Sequence, residues 1–160
     1  MKRNASTLFL CQAALIAALY VILTLVSRVL GLDSGVIQVR FSEMLCLLPI
    51  YFPAAIPGVT VGCFLANLLS GAVWLDLLVG PIATLIGAVG TRLLRKWKLL
   101  APLPPIFANT ILIPFVLAYG YGIQQAIPLM MLTVGLGEVI SIYGLGMLMV
   151  KTMGKTLERL

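Results

Sequence analysis

Apolar residues fill long runs of this chain, and its polar positions collect at the ends of those runs instead of recurring on one face within them. A surface helix shows an apolar stripe with a 3.6-residue period, whereas a helix surrounded by lipid is apolar all round and needs about 20 such residues to span. The first run extends from about Leu8 to Leu32, with Arg28 its only charge. Signal-peptide cores are about 7 to 15 residues long, so this run predicts a transmembrane helix that is retained. After a connection, Gly31 to Val39, a helical hairpin is expected. Its arms are Phe41 to Phe52 and Ile56 to Leu69, and it reverses at Pro53 to Gly58, where two prolines and a glycine interrupt the helical pattern. Both arms are short, about 20 Å each at 1.5 Å per residue. A fourth span runs from Val73 to Leu94 with a bend expected at Gly80-Pro81, a fifth from Ile106 to Ala118, and a sixth from Ala126 to Val150. Pro102, Pro104 and Pro105 punctuate the loop between the fourth and fifth, and Tyr119 and Tyr121 mark a lipid interface.

Composition agrees with that pattern. At 61% hydrophobic and 10% charged, with a mean hydropathy of +1.12 over 160 residues, the chain has too little polar surface to cover a soluble globule. The expected fold is an all-α integral membrane protein of about six transmembrane helices in a single domain, 1–160. The sequence carries no G-x-x-x-x-G-K-[ST] string, so ATP-driven work would fall to a partner. Histidine is absent, which removes the usual general base and zinc ligand. Cys11, Cys46 and Cys63 sit in apolar runs without metal spacing and read as small buried hydrophobes. Neither enzymatic activity, cofactor nor metal is expected.

The formal charge of +6 comes from cations grouped beside apolar segments, which points to membrane topology and away from nucleic acid. With six spans, one side holds Lys2 and Arg3, then Arg92, Arg95, Lys96 and Lys98, then Lys151, Lys155 and Arg159, while the other holds Arg28 and Arg40. The positive-inside rule places both termini and the hairpin turn in the cytoplasm, and Arg40, Glu43, Asn67 and Asp76 toward the outside.

Those outward groups are the candidate chemistry. Glu138 lies about twelve residues into the last span, about 18 Å along it and past the midplane of a core about 30 Å thick. A central acidic residue costs about 2.5 to 3.5 kcal/mol to insert, so it should face the bundle and have a partner, either a ligand or a hydrogen-bond donor such as Ser141, Thr133 or a neighbouring helix. Arg40 and Glu43, three residues apart, either serve a ligand or satisfy each other on one helix turn. Asp76 either does the same or is simply favoured by the dipole of the helix it opens. Set against Arg28 and Arg40, the carboxylates Asp33, Glu43, Asp76 and Glu138 leave a negative surplus, which suits a ligand rich in N–H donors or carrying a cation. Trp74, Tyr119, Tyr121 and Tyr143 offer flat faces for a planar solute. The candidate substrate-binding residues are therefore Arg40, Glu43, Asn67, Trp74, Asp76, Glu138 and Tyr143. Separately, Ala13, Ala14, Ala17 and Ala18 form a small-residue strip that serves either packing inside the bundle or docking to another subunit, and Gly58, Gly62 and Ala66 form a second strip suited to packing.

Four segments carry a resemblance: CQAALIAALY in the first span, Ile37-Gln38-Val39-Arg40-Phe41-Ser42-Glu43, the following LLPIYFPAAIPGVTVGCFLANLLSG, and WLDLLVGPIATLIGA. Together they resemble the QueT family, the queuosine-precursor substrate-binding (S) components of energy-coupling factor (ECF) transporters. The resemblance covers most of the chain. It implies a six-helix S component of the bacterial plasma membrane that captures a micronutrient on the outer face. It further implies docking, through small residues of the first helix, onto a membrane coupling (T) subunit bearing two ATPase subunits. The implied solute is queuine or a related 7-deazaguanine, whose guanine-like edge and amine supply N–H donors. The alternative is a stand-alone secondary transporter of a small amine-bearing or heterocyclic solute. Such a carrier would often show two homologous halves, and no convincing internal repeat is present.

Overall fold

The computed structural model describes residues 5–33 and 37–157. Lys2, Arg3 and Arg159, part of the charge distribution above, lie outside the described residues, as do residues 34–36 of the first connection. The described chain is helical: α1 (Ala5–Val29), a 3-10 helical segment (Phe41–Ile50), α2 (Ala55–Leu69), α3 (Trp74–Leu93), α4 (Leu103–Tyr119), and α5 (Ile127–Glu138), which continues through a π-helical segment (Val139–Gly146) into α6 (Met147–Leu157). By length and composition, α1, α3 and the continuous helix Ile127–Leu157 can each cross a membrane, and the other three are shorter apolar helices. The result is a membrane helical bundle of about six passes.

Four details differ from the sequence expectation, each for a local reason. The first hairpin arm is a 3-10 helix, which rises about 2.0 Å per residue, so ten residues cover about 20 Å where an α-helix would cover about 15 Å. The reversal is tighter than expected: α2 already starts at Ala55, because Pro57 sits in its first turn, where an N–H has no helical partner to lose. In the same way Pro104 and Pro105 open α4 instead of lying in the loop before it. The last span reaches Leu157, taking Lys151 and Lys155 into the helix with both exposed.

The 3-10 segment is the core. Leu45, Cys46, Leu47, Leu48, Pro49 and Ile50 are all buried in it, and it packs against α1, α2, α3 and the π segment. Its far end is held by Arg92, whose Nη1 donates to the carbonyls of Pro49 (3.0 Å) and Ile50 (3.1 Å). Beside it, α1 and α2 approach so closely that a Cβ at Gly62 would lie 2.7 Å from Tyr20 Cβ and 3.1 Å from Ala17 Cα, and one at Gly58 2.9 Å from the Ala13 carbonyl oxygen. Ala13 and Ala17 are thus buried against the second small-residue strip, while Ala14 and Ala18, one position round the helix, are exposed.

Candidate substrate-binding site

The site begins with the chain that leaves α1 and enters the 3-10 segment. Val39 N–H donates to the Leu32 carbonyl at 2.9 Å, and Arg40 is extended (φ −115°, ψ 115°). Two serines fix the backbone around Arg40. Its own N–H donates to Ser141 Oγ at 3.1 Å, and the Phe41 N–H donates to the buried Ser27 Oγ at 2.8 Å. The strand-like approach needs Gly137 on α5, because a Cβ there would run into the Gln38 carbonyl oxygen. These contacts tie residues 38–41 to both ends of the chain and aim the guanidinium of Arg40 into the bundle.

Three carboxylates surround that guanidinium. Burial disfavours the charge of Arg40, but Asp76, Glu43 and Glu138 together outweigh this and hold its pKa above the ordinary arginine value, so it stays cationic. Each carboxylate has a different set of partners. Glu43 is 2% exposed and is held from α1: the Tyr20 hydroxyl donates to Oε1 at 2.5 Å, and Cys46 Sγ lies 3.4 Å from Oε2. Neighbouring Ser42 accepts from Thr24 Oγ1 at 2.8 Å, a second tie to α1. Asp76, in the first turn of α3, accepts from Asn67 Nδ2 at its backbone oxygen (3.0 Å) and at Oδ1 (3.4 Å), and from the Tyr121 hydroxyl at Oδ2 (3.1 Å). Burial and the adjacent Asp76 raise the Tyr121 phenol above its usual pKa, which keeps it a donor. Glu138 is 9% exposed, with the Asn109 side chain of α4 in hydrogen-bonding reach, but its Oε2 is buried without a partner among the described residues.

These groups line two adjoining spaces. A small inner cavity of about 20 Å³ is bounded by Arg40, Glu43, Glu138, Asn109, Gln38 and Thr84. A vestibule of about 530 Å³ is bounded by Arg28, Asp33, Arg40, Asn67, Asp76 and Tyr121 among others, and shares Gln38, Arg40 and Ile113 with the inner cavity. Its size is that of a small-molecule site.

The hairpin and its flanks thus bring Arg40, Asn67, Ser70 and Asp76 to one vestibule, and Arg40 and Glu43 to the cavity beside it, where α5 adds Glu138. Trp74, 68% exposed, and Tyr143, 38% exposed, line neither space, and of the aromatic candidates Tyr121 is the one that faces the vestibule. Glu43 takes hydrogen bonds from Tyr20 and Cys46, and its charge also bears on Arg40 three residues away. The neighbouring-helix alternative for Glu138 is met by Asn109, while Thr133 donates to the Met130 carbonyl and Ser141 accepts from Arg40. Sequence reasoning passed over Asn109, Gln38, Tyr20 and Thr84. The available signal for Asn109 was an amide in mid-span, subject to the same insertion cost argument as Glu138.

The model of the QueT transporter family matches residues 10–155. The chain is 36% identical over 97 residues to the queuosine precursor transporter QueT of Lactococcus lactis subsp. cremoris (strain MG1363), a match covering 60% of this chain and 57% of that one. No solved structure matches the chain.

Proposed function

The chain belongs to the QueT transporter family, and we propose that it is the substrate-binding subunit of an ECF-type importer that captures queuine or a related 7-deazaguanine on the outer face of the bacterial cell membrane. The observation that carries this reading is the vestibule of about 530 Å³, lined by Arg40 and Asp76, that adjoins the small cavity lined by Glu43 and Glu138. A planar heterocycle with several N–H donors and an amine matches such a surplus of acceptors, whereas a strongly anionic or fatty solute does not. The name of the Lactococcus lactis relative, a queuosine precursor transporter, supports the same solute class.

The orientation follows from the ends of the 3-10 segment. Arg40 begins it at the vestibule, and Arg92, with Arg95, Lys96 and Lys98 shortly after it in sequence, holds the Pro49 and Ile50 carbonyls at the other end. The positive-inside rule assigns the cation-rich end to the cytoplasm, which leaves the vestibule open to the outside. On this reading a coupling subunit and its two ATPases drive uptake, in keeping with a sequence that carries no G-x-x-x-x-G-K-[ST] string of its own. Exposed Ala14 and Ala18 are the residues of the alanine strip still available to receive that partner.

The test is binding by the purified protein in detergent or nanodiscs, titrated calorimetrically with 7-deazaguanines, purines and vitamins. Saturable binding confined to deazaguanines is expected. Preference for an unrelated vitamin, or no deazaguanine binding by folded protein, would overturn the substrate assignment.

A further inference from the structure

Of the carboxylates at the inner cavity, Glu43 already has both oxygens engaged, by Tyr20 and Cys46, and the Thr84 hydroxyl there is spent on the Gly80 carbonyl at 3.0 Å. Glu138 differs. It is more than nine-tenths buried, Asn109 is within hydrogen-bonding reach of its carboxylate, and its Oε2 has no partner among the described residues. A buried carboxylate oxygen without a donor is costly, and a carboxylate offers about four acceptor positions. The cavity it lines, about 20 Å³, has room for roughly one water and shares Gln38, Arg40 and Ile113 with the vestibule, so the polar edge of a flat ring entering from there would take that water's place. The body of such a ring fits the adjoining vestibule.

We propose that Glu138 and Asn109 form the specificity end of the site and read a 2-amino-4-oxo edge. The ring N–H and the exocyclic amine donate to the Glu138 carboxylate, and the ring carbonyl accepts from the Asn109 amide. This assignment rests on the deazaguanine reading above and names which end of the site discriminates among its ligands. It leaves Asp76, in the vestibule, to face the ring's amine-bearing substituent. A ligand with hydrogen in place of the 2-amino group loses one charge-assisted hydrogen bond. One with a 2-oxo group sets an acceptor against the carboxylate.

The decisive measurement is the affinity of the wild-type protein, Glu138→Gln and Asn109→Ala for three rings that differ at position 2: 7-deazaguanine, 7-deazahypoxanthine and 7-deazaxanthine. Wild type should favour the 2-amino ring by about ten- to a hundred-fold, the effect of one charge-assisted hydrogen bond. Glu138→Gln should lose that preference and rank the 2-oxo ring first, because its amide NH₂ donates where the carboxylate only accepted. Asn109→Ala keeps the carboxylate, so it should weaken all three rings about tenfold and leave their order unchanged. An unaltered ranking in Glu138→Gln, with wild type still binding deazaguanines, overturns the specificity assignment alone. Absence of binding by folded wild type overturns the substrate reading and this assignment with it.

Discussion

The Tyr20 hydroxyl donates to Glu43 Oε1 across 2.5 Å, bridging α1 and the 3-10 segment where both residues are almost completely buried. Glu43 is thereby a structural fastener, whereas Glu138, whose Oε2 has no partner among the described residues, has capacity to spare. The two should answer differently to mutation. Tyr20→Phe removes the donor and strands a buried acceptor, which should lower stability by about 1 to 3 kcal/mol. Glu138→Gln removes a desolvated charge and should leave the melting temperature of the empty protein unchanged or raised. Thermal unfolding of both variants without ligand checks the pair, and equal losses would mean that the two carboxylates do the same work.

Gly137 controls the placement of Arg40 from a distance. Because a Cβ at this position collides with the Gln38 backbone oxygen, Gly137→Ala should push the entry strand away from α5 and break the Arg40 N–H to Ser141 bond. Solute affinity should fall at least about tenfold, the value of roughly one such bond. Circular dichroism should show the helices intact, since alanine favours helix. Unchanged affinity would show that Arg40 reaches the ligand without this support.

The small-residue strip of α1 separates into two faces with different predicted phenotypes. Ala13→Trp or Ala17→Trp meets the closely packed α2 and should destabilise or unfold the isolated protein. Ala14→Trp or Ala18→Trp points away from the bundle and should preserve folding and solute binding while abolishing ATP-driven uptake by the assembled transporter. Transport assays run beside binding assays distinguish them, and full uptake by the Ala14 and Ala18 variants would remove α1 as the docking helix.

Asp76 should discriminate by the charge of the solute. Replacing it by asparagine keeps a partner for Tyr121 but removes the negative charge from the vestibule. Ligands bearing an amine should weaken about tenfold, the worth of one charge-assisted contact, and neutral analogues of the same ring should bind as before. Equal losses for both would assign Asp76 to the fold.

Orientation is accessible to chemical labelling. In a background with Cys11, Cys46 and Cys63 replaced, a cysteine at Gln124, exposed in the α4–α5 connection, should react with an impermeant thiol reagent on intact cells. One at exposed Trp97 should react only after the membrane is opened. The reverse pattern would invert the topology and close the vestibule to external solute.

The run lengths of apolar residues by themselves determined the class, the passes and the hairpin. In lipid every backbone group must be satisfied within the segment, so a long apolar run becomes a helix whatever surrounds it. The same logic brought Arg40, Asn67, Ser70 and Asp76 to one end of the bundle, since two passes of a hairpin return to the side they left. The division of labour within that cluster was decided by tertiary structure alone. Tyr20 and Glu43 are 23 residues apart, and Arg40 and Ser141 are 101 apart. Which donor reaches which carboxylate therefore depends on how closely helices cross. That closeness is set by Gly58, Gly62 and Gly137, and by a 3-10 rise in a stretch whose composition equally permits an α-helix. For the same reason Ala13 and Ala14, chemically identical neighbours, part company. A helix turns about 100° per residue, and only the position of α2 decides which of the two it covers.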